Sequence, residues 1–328
     1  MKIAVLGAGA WGTALALQIA REHEVVLWTR NTEHMAEMQA SHANQRYLAG
    51  FPFPASIKLE ASFESAINAV DLILAAVPTN GLRQILKNIR AAHCTTPVVW
   101  ACKGLEASSA KMLYEVAAEE LSAEAHWGIL SGPSFAEEVA AGLPAAVTVA
   151  SKDADVARDF ASAFHGGNLR VYHSTDVIGV AVGGALKNVI AIASGICDGM
   201  GCGLNARAAL LTRGMTEITR FGVALGGKAE TLMGLTGVGD LILTATGSLS
   251  RNYKVGMALA KGKTLEQILA DLGHVAEGVS TAREVARKAK ELGIDMPITN
   301  EVNRVLFEGL SPKTAVENLL GREQKAEH

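Results

Sequence analysis

The fold is decided by a glycine-rich stretch at the start of the chain, residues 2–12, which reads KIAVLGAGAWG. Its apolar first half predicts a buried strand, and Gly7, Gly9 and Gly12 then form the pattern G-x-G-x-x-G. The pattern alone is weak evidence. Here it joins a strand to a helical pattern over residues 10–21, and a second strand follows. That setting is typical of a dinucleotide-binding βαβ unit.

Each glycine of this pattern has its own expected role. Gly7 permits a tight turn, Gly9 lets the backbone approach a pyrophosphate, and Gly12 allows the helix to pack closely on the strand. The helix begins at Ala10 and Trp11, and its N-terminal N–H groups favour a bound phosphate. The alternative is a glycine-rich turn without a ligand, but the complete strand–turn–helix setting favours a cofactor.

The end of the second strand indicates which cofactor is preferred. An NAD-specific site usually carries Asp or Glu about 20 residues after the glycines. Residues 27–31 instead read LWTRN, with no carboxylate. Arg30 could pair with a 2′-phosphate, although it could also be an ordinary solvent-facing arginine. The sequence therefore favours NADPH without excluding NADH.

The rest of the chain predicts two domains. Up to about residue 175, nearly all-apolar strand patterns alternate with amphipathic helical ones, which indicates a doubly wound parallel sheet of the Rossmann type. The patterns beyond it are almost entirely helical. We expect an NAD(P)-binding domain at 1–178 and a helical substrate-binding and catalytic domain at 179–328, with the active site in the cleft between them.

Composition limits the possible partners. A net charge of -3 gives no reason to expect nucleic acid or an anionic membrane. The apolar stretch 177–200 is interrupted by Lys187 and several glycines, so it predicts a core helix and no membrane span. No C-x-x-C pair occurs among Cys94, Cys102, Cys197 and Cys202, so the sequence indicates neither a metal site nor a disulfide framework. Free thiols are typical of a reducing compartment, and a cytoplasmic location is expected.

Several polar residues stand where chemistry is expected. Lys103 follows a predicted sheet strand, and carboxyl ends of parallel strands line the ligand crevice. Lys187 lies in an apolar helical run, where an unpaired charge is costly, so it must reach a polar partner or solvent. Asp240 could pair with Lys187 or cap the helix that follows it, and Thr244 could add a hydrogen bond. Arg251 with its neighbouring amide fits a phosphate clamp.

Ser134 and Glu137 have the spacing of a capping box, with Ser134 as the N-cap. A helix that begins beside the crevice would still present N–H donors to a ligand.

Four separated segments carry a family resemblance: residues 101–106 (ACKGLE), 131–138 (SGPSFAEE), 183–188 (GGALKN) and 237–252, which contains GVGDL and SRN. In this order and spacing the chain resembles bacterial NAD(P)-dependent glycerol-3-phosphate dehydrogenases from its first strand to about residue 320. The resemblance implies reduction of dihydroxyacetone phosphate to sn-glycerol 3-phosphate, which supplies glycerophospholipid synthesis, and a homodimer. Ala10 stands where this family often carries a hydroxyl.

The resemblance also implies residue roles. Lys187 is the proton donor and acceptor, assisted by Asp240 and Lys103. The implied substrate-binding residues are Lys103, Gly132, Ser134, Lys187, Asn188, Asp240, Ser250, Arg251 and Asn252. The implied cofactor-binding residues are Gly7, Gly9, Ala10, Trp11, Gly12, Arg30, Lys103, Ala136, Arg251, Val275 and Glu277.

Two other functions fit parts of the pattern. A dehydrogenase of the same architecture acting on a 3-hydroxy acid would need a carboxylate site, which Arg251 could also form. A non-catalytic NAD(P)-binding sensor would need the glycines but not Lys187 with Asp240.

Overall fold

The computed structural model describes residues 1–107, 109–272, 276–324 and 326. The chain divides into two compact units. The first contains Met1–Lys103 and Met112–Ala181, and the second contains Gly104–Lys111 and Val182–His328. The division thus falls slightly beyond residue 178 and inside a long helix, and one short loop of the first half groups with the second unit.

The first unit is built on one eight-stranded sheet. Its strands are β1 (Lys2–Leu6), β2 (Glu24–Trp28), β3 (Ile57–Glu60), β4 (Leu72–Ala75), β5 (Val98–Trp100), β6 (Trp127–Ser131), β7 (Ala145–Ala150) and β8 (Leu169–Ser174). Across the sheet their order is β3-β2-β1-β4-β5-β6-β7-β8. Neighbours run parallel, except that β7 is antiparallel to β6.

Side-chain alternation along the strands builds a core on each face of the sheet. On β1, Ile3 and Val5 belong to one buried cluster, whereas Ala4 and Leu6 belong to another. Successive strand residues point to opposite faces, so both faces of this strand are covered. The near-continuous apolar strands of the sequence follow from this double burial.

The helices of this unit are α1 (Ala10–Ile19), α2 (Thr32–Ser41), α3 (Phe63–Ile67), α4 (Leu82–Ala91), α5 (Leu113–Glu120), α6 (Ala136–Ala140) and α7 (Ala154–Phe164). Strands and helices alternate as the sequence predicts, and the mostly parallel Rossmann-like sheet is confirmed. Strand β3 was not predicted, because this edge strand carries Lys58 and Glu60 and buries few apolar side chains. The reversed direction of β7 was not predicted either, since an apolar run does not encode strand direction.

The second unit is helical in the part of the chain that the structure describes. Its helices are α8 (Val177–Gly199, which begins in the first unit), α9 (Leu204–Ala224), α10 (Ala229–Leu232), α11 (Asp240–Thr246), α12 (Arg251–Ala260), α13 (Leu265–Leu272), α14 (Glu277–Glu291), α15 (Pro297–Phe307) and α16 (Pro312–Leu320). A five-residue π-helix, Leu235–Gly239, directly precedes α11.

Helix α8 is long and apolar enough to cross a membrane by length and composition alone. However, 89% of its most apolar window is buried inside the protein. A buried helix of this composition is the core helix of a folded domain, as the interrupting Lys187 suggested.

A buried carboxylate on α9 caps the start of α15. Glu217 is 3% exposed and accepts hydrogen bonds from the N–H groups of Ile298 (2.6 Å) and Thr299 (3.1 Å) and from the Thr299 hydroxyl. No side chain of α15 itself caps this end. Burial raises the pKa of Glu217 from 4.5 to about 7, although the backbone donors oppose the shift.

This carboxylate predicts a pH dependence of stability. The folded state holds the Glu217 proton more tightly than the unfolded state, so between about pH 4.5 and 7 the unfolded state binds fewer protons. The contribution of Glu217 to the free energy of unfolding is therefore full below pH 4.5 and is lost as pH rises through about 7. The urea midpoint, measured from pH 5 to pH 8, should contain a falling component that Glu217→Gln removes. The exposed Glu291→Gln serves as control, and parallel curves for all three proteins would contradict the assignment.

Candidate functional site

The glycine-rich loop lies where the sheet order changes direction. Strand β1 stands between β2 and β4, and in such sheets the crevice at the carboxyl end of this strand binds ligands. Gly7 has φ +120°, and a Cβ there would lie 2.5 Å from the Ala76 carbonyl oxygen. A Cβ on Gly12 would lie 1.9 Å from the Gly7 oxygen. The turn and the close helix packing therefore both require glycine.

The start of α1 fits a phosphate group. Its N-cap is Gly9, and no side chain caps this end. A Cβ added to Gly9 would meet nothing within 4 Å, so open space lies beside the backbone here. Ala10 and Trp11 form the first turn and are partly exposed. Uncapped N–H groups facing open space are what the pyrophosphate of a dinucleotide needs.

A buried polar network holds this loop in place. The Asn44 amide donates to the Ala8 carbonyl oxygen (2.8 Å) and to the Thr13 hydroxyl (2.7 Å). Its Oδ1 lies 2.9 Å from His34 Nε2 and accepts from the Tyr47 N–H. Asn44 and Thr13 are wholly buried. This network was not predicted from the sequence, because nothing in the local pattern joins residue 44 to residue 8.

Arg30 is exposed and lies just beyond the carboxyl end of β2. The following Asn31 caps α2, because its side chain accepts from the His34 N–H. Arg30 is therefore an exposed residue beside the strand end at which nucleotide specificity is usually determined.

Lys103 and Gly132 meet at the same edge of the sheet. They follow the neighbouring parallel strands β5 and β6, whose carboxyl ends lie together. The Lys103 ammonium donates to the Gly132 carbonyl oxygen at 2.9 Å, and Gly132 has φ +133°. This contact places a cation beside a turn that also carries Ser134.

The capping box predicted for Ser134 and Glu137 is wrong. The Ser134 hydroxyl donates back to the Gly132 carbonyl oxygen at 3.1 Å. Helix α6 starts later, at Ala136, and its N-cap Phe135 provides no side-chain hydrogen bond. The turn at Gly132 therefore engages the hydroxyl before the helix begins.

The second unit contains a buried ion pair. Lys187 and Asp240 are 6% and 1% exposed. The Lys187 ammonium donates to Asp240 Oδ1 and, at 2.8 Å, to Thr244 Oγ1. Lys187 lies on α8, whereas Asp240 and Thr244 lie one turn apart on α11, so they present their oxygens on the same face. Of the two interpretations of Asp240, the structure shows the ion pair, because its backbone is already helical and Gly239 is the N-cap.

A chain of amide hydrogen bonds runs beside this pair. The Asn252 Nδ2 donates to Asn188 Oδ1 at 2.9 Å, and Asn252 Oδ1 accepts from the Gly278 N–H at 3.0 Å. Both asparagines are at least nine-tenths buried. The Asn252 amide thus orients Asn188, the residue next to Lys187, and contacts the start of α14.

Arg251 opens α12 and is exposed. Ser250 is the N-cap of this helix, and its hydroxyl accepts from the Tyr253 N–H at 3.2 Å. An exposed guanidinium at the positive end of a ten-residue helix favours an anion.

Two further cofactor candidates stand at element starts. Ala136 is the first residue of α6 and Glu277 is the first residue of α14. Val275 lies outside the described residues. Local chemistry marks none of the three, and their roles stay predictions.

Comparison with known proteins gives two family matches. One, described as NAD-dependent glycerol-3-phosphate dehydrogenase N-terminus, matches residues 2–157, and the other, the C-terminus of the same family, matches residues 176–317. Among similar curated proteins, the NAD(P)+ glycerol-3-phosphate dehydrogenase of Methylobacillus flagellatus is 62% identical over 327 residues, which span 100% of this chain and 99% of the relative. The corresponding protein of Nitrosospira multiformis is 56% identical over 331 residues, 100% of this chain and 99% of the relative.

A solved structure agrees with these sequences. The crystal structure of glycerol-3-phosphate dehydrogenase from Coxiella burnetii superposes with a TM-score of 0.93 at 42% identity, covering 98% of this chain and 99% of that one.

Proposed function

Because this chain belongs to the NAD-dependent glycerol-3-phosphate dehydrogenase family, we propose that Lys187 exchanges the proton as dihydroxyacetone phosphate is reduced to sn-glycerol 3-phosphate. The reaction is that of an NAD(P)-dependent oxidoreductase. A reduced nicotinamide cofactor supplies the hydride when it is bound. The proton has to reach the oxygen that changes from carbonyl to hydroxyl.

The buried Lys187–Asp240–Thr244 cluster carries this proposal. An ammonium in an apolar core is stable only when its charge and its hydrogen bonds are compensated. The Asp240 carboxylate and the Thr244 hydroxyl compensate it and fix the direction of the Nζ atom. A fixed ammonium gives its proton to the substrate oxygen in one defined geometry, and it takes the proton back in the reverse reaction. We also assign Lys103 as a second cation for substrate or cofactor.

Substrate recognition is proposed for the polar groups near this cluster and on α12. Asn188, whose amide is oriented by Asn252, binds and orients the substrate. The exposed Arg251 and the N-terminal N–H groups of α12, with Ser250 as cap, bind the phosphate. Gly132 and Ser134 complete the substrate contacts.

We propose that the glycine loop, with Ala10 and Trp11, contacts the cofactor pyrophosphate and that Arg30 lies at the ribose. The family resemblance adds three further cofactor contacts, Ala136, Val275 and Glu277. The uncapped start of α1 supports a phosphate there. We further propose that the enzyme is cytoplasmic and acts as a homodimer. Its product supplies glycerophospholipid synthesis.

One assay tests the proposal against both alternatives. NADPH oxidation is followed with dihydroxyacetone phosphate, with a keto acid and with no substrate. We expect turnover with dihydroxyacetone phosphate alone. A preference for the keto acid would indicate the hydroxy-acid dehydrogenase, and cofactor binding without any turnover would indicate the sensor.

Arg30 should give a preference for NADPH. Its guanidinium attracts the 2′-phosphate, so Arg30→Asp replaces attraction with like-charge repulsion. The ratio of kcat/KM for NADPH to that for NADH should fall or reverse. Lys313→Asp makes the same charge change at an exposed position of the second unit and should leave the ratio unaltered. An Arg30→Asp ratio equal to wild type would refute the role.

Asn44 should support cofactor affinity without touching the cofactor. Asn44→Ala removes the donors to Ala8 and Thr13, so the loop loses its fixed position. A lost hydrogen bond is worth about 1 kcal/mol, and we expect the Kd for NADPH in a fluorescence titration to rise about fivefold. The control is Asn168→Ala, which removes an amide contact to Gly142 in the same unit. Equal Kd values for both variants, with only Tm lowered, would reduce Asn44 to a structural role.

A further inference from the structure

Two cysteines that the proposed reaction does not use lie close together at the end of α8. Cys197 is on the last turns of the helix, and Cys202 follows two residues after Met200. Both are free thiols, and Cys202 lies close enough to Cys197 to help raise the pKa of its thiol. Their spacing is not C-x-x-C, so the sequence alone does not identify them as a metal-binding or redox pair.

The backbone explains why these thiols meet. The Cys202 N–H donates to the Cys197 carbonyl oxygen at 3.1 Å, and the Gly201 N–H donates to the Asp198 carbonyl oxygen at 3.0 Å. Gly201 has φ +71°. This pair of hydrogen bonds around a left-handed glycine is the Schellman motif, which brings the side chains of its first and last residues together. The proximity of the two cysteines is therefore built into the helix end.

The two thiols differ in exposure. Cys202 is partly exposed, so a small reagent can reach it, whereas Cys197 is 6% exposed. Burial, together with the neighbouring Cys202, raises the pKa of the Cys197 thiol to about 12. The charged neighbours are Asp198 and Arg207, and the Arg207 guanidinium and the Tyr253 hydroxyl both donate to the Asp198 carboxylate.

We propose that Cys197 and Cys202 form a dithiol site that peroxides oxidise, with Cys202 as the reacting thiol and Cys197 as the resolving one. The Cys202 thiolate attacks one peroxide oxygen, the O–O bond breaks, and a sulfenic acid and hydroxide form. The Cys197 thiolate then attacks the Cys202 sulfur, so that the S–S bond forms and the S–O bond breaks. The two thiol protons leave in two molecules of water, and hydrogen peroxide is the oxidant.

The difference in exposure determines which thiol reacts first and which step is slower. The partly exposed Cys202 meets the peroxide first, and the buried Cys197 reacts afterwards. Cys197 must lose its proton before it can attack, and burial, which raises the pKa of its thiol, favours the protonated form at neutral pH. Closure of the disulfide is therefore the slow step and accelerates as pH rises. The sulfenic acid on Cys202 consequently accumulates near pH 7 and can be trapped with dimedone. Asp198, Arg207 and Tyr253 are charged or titratable groups that also interact with Cys197.

The full-length protein tests the proposal. It is treated with hydrogen peroxide between pH 7 and 9.5, and intact mass and peptide mapping are recorded. We expect a dimedone adduct on Cys202 at pH 7. At higher pH we expect loss of two hydrogen atoms and a 197–202 cross-link that dithiothreitol reverses. Cys197→Ser should keep the adduct without the cross-link, Cys202→Ser should abolish both, and Cys94→Ser, at a partly exposed cysteine of the first unit, should change neither.

Three results with the wild-type protein would overturn the proposal. Cys202 could stay unmodified, or it could oxidise irreversibly without forming a disulfide at any pH. The disulfide could also join two chains instead of forming within one. Because the wild-type measurements alone decide these outcomes, the proposal stays testable even if a serine variant folds poorly.

Discussion

Replacing Lys187 with alanine is expected to lower turnover about 10²–10⁴-fold, the usual contribution of a positioned proton donor, while cofactor binding persists. Lys187 is a buried cation whose ammonium is fixed by Asp240 and Thr244, and it lies away in sequence from the glycine loop. Steady-state kcat with dihydroxyacetone phosphate measures the loss, and NADPH titration measures the retained binding. Lys254→Ala, at an exposed lysine, is the control.

A second variant separates chemistry from folding. Removing only the lysine leaves the Asp240 carboxylate, 1% exposed, without its cation, which costs about 3–5 kcal/mol in typical buried pairs. The double variant Lys187→Met/Asp240→Leu removes both charges and should regain stability without regaining turnover. Near-normal turnover in either variant would refute Lys187 as the proton donor.

The glycine loop could be read from the sequence because its evidence is local. Strand, turn and helix follow one another within residues 2–21, and the steric demands on Gly7 and Gly12 involve residues of the same unit. The alternation of apolar strands with amphipathic helices likewise predicts the sheet. Strand direction at β7 and the polar edge strand β3 depend on long-range pairing, which no local pattern encodes.

The candidate site depended more on long-range contacts. Lys187 and Asp240 are 53 residues apart, and residue chemistry alone left Asp240 between an ion pair and a helix cap. Ser134 shows the reverse error, because its spacing to Glu137 fits a capping box but the turn at Gly132 takes its hydroxyl. Asn44 reaches Ala8 across 36 residues. Such contacts follow only from the folded backbone.

The phosphate clamp expected from the sequence used both Arg251 and the Asn252 amide, but the structure gives the Asn252 amide other partners. This amide hydrogen-bonds Asn188 and Gly278 inside the second unit, whereas the neighbouring Arg251 side chain is exposed. In the proposed clamp, the positive charge therefore comes from Arg251. A phosphate monoester carries nearly two negative charges near neutral pH, and the protein as a whole has a net charge of -3. A local cation must offset that repulsion.

Arg251→Ala is therefore expected to lower kcat/KM for dihydroxyacetone phosphate about 10- to 100-fold, since charge-assisted hydrogen bonds contribute about 1.5–3 kcal/mol. Turnover should fall together with affinity, because binding the remote phosphate also orients the carbonyl. Arg251→Lys should recover only part of the loss, as an ammonium cannot copy the two-point contact of a guanidinium. Lys254→Ala, one turn along α12 and also exposed, removes a similar charge and should have little effect.

The decisive comparison is between phosphorylated and unphosphorylated dihydroxyacetone. A guanidinium that binds the phosphate stabilises only the first substrate, so Arg251→Ala should erase much of the preference for it and leave the slow reaction of the second unchanged. If both substrates lost efficiency equally, Arg251 would act through the cofactor or the fold. Raising the salt concentration gives an independent check, because screening weakens an exposed charge contact. The wild-type preference should fall with salt, whereas that of Arg251→Ala should stay nearly flat.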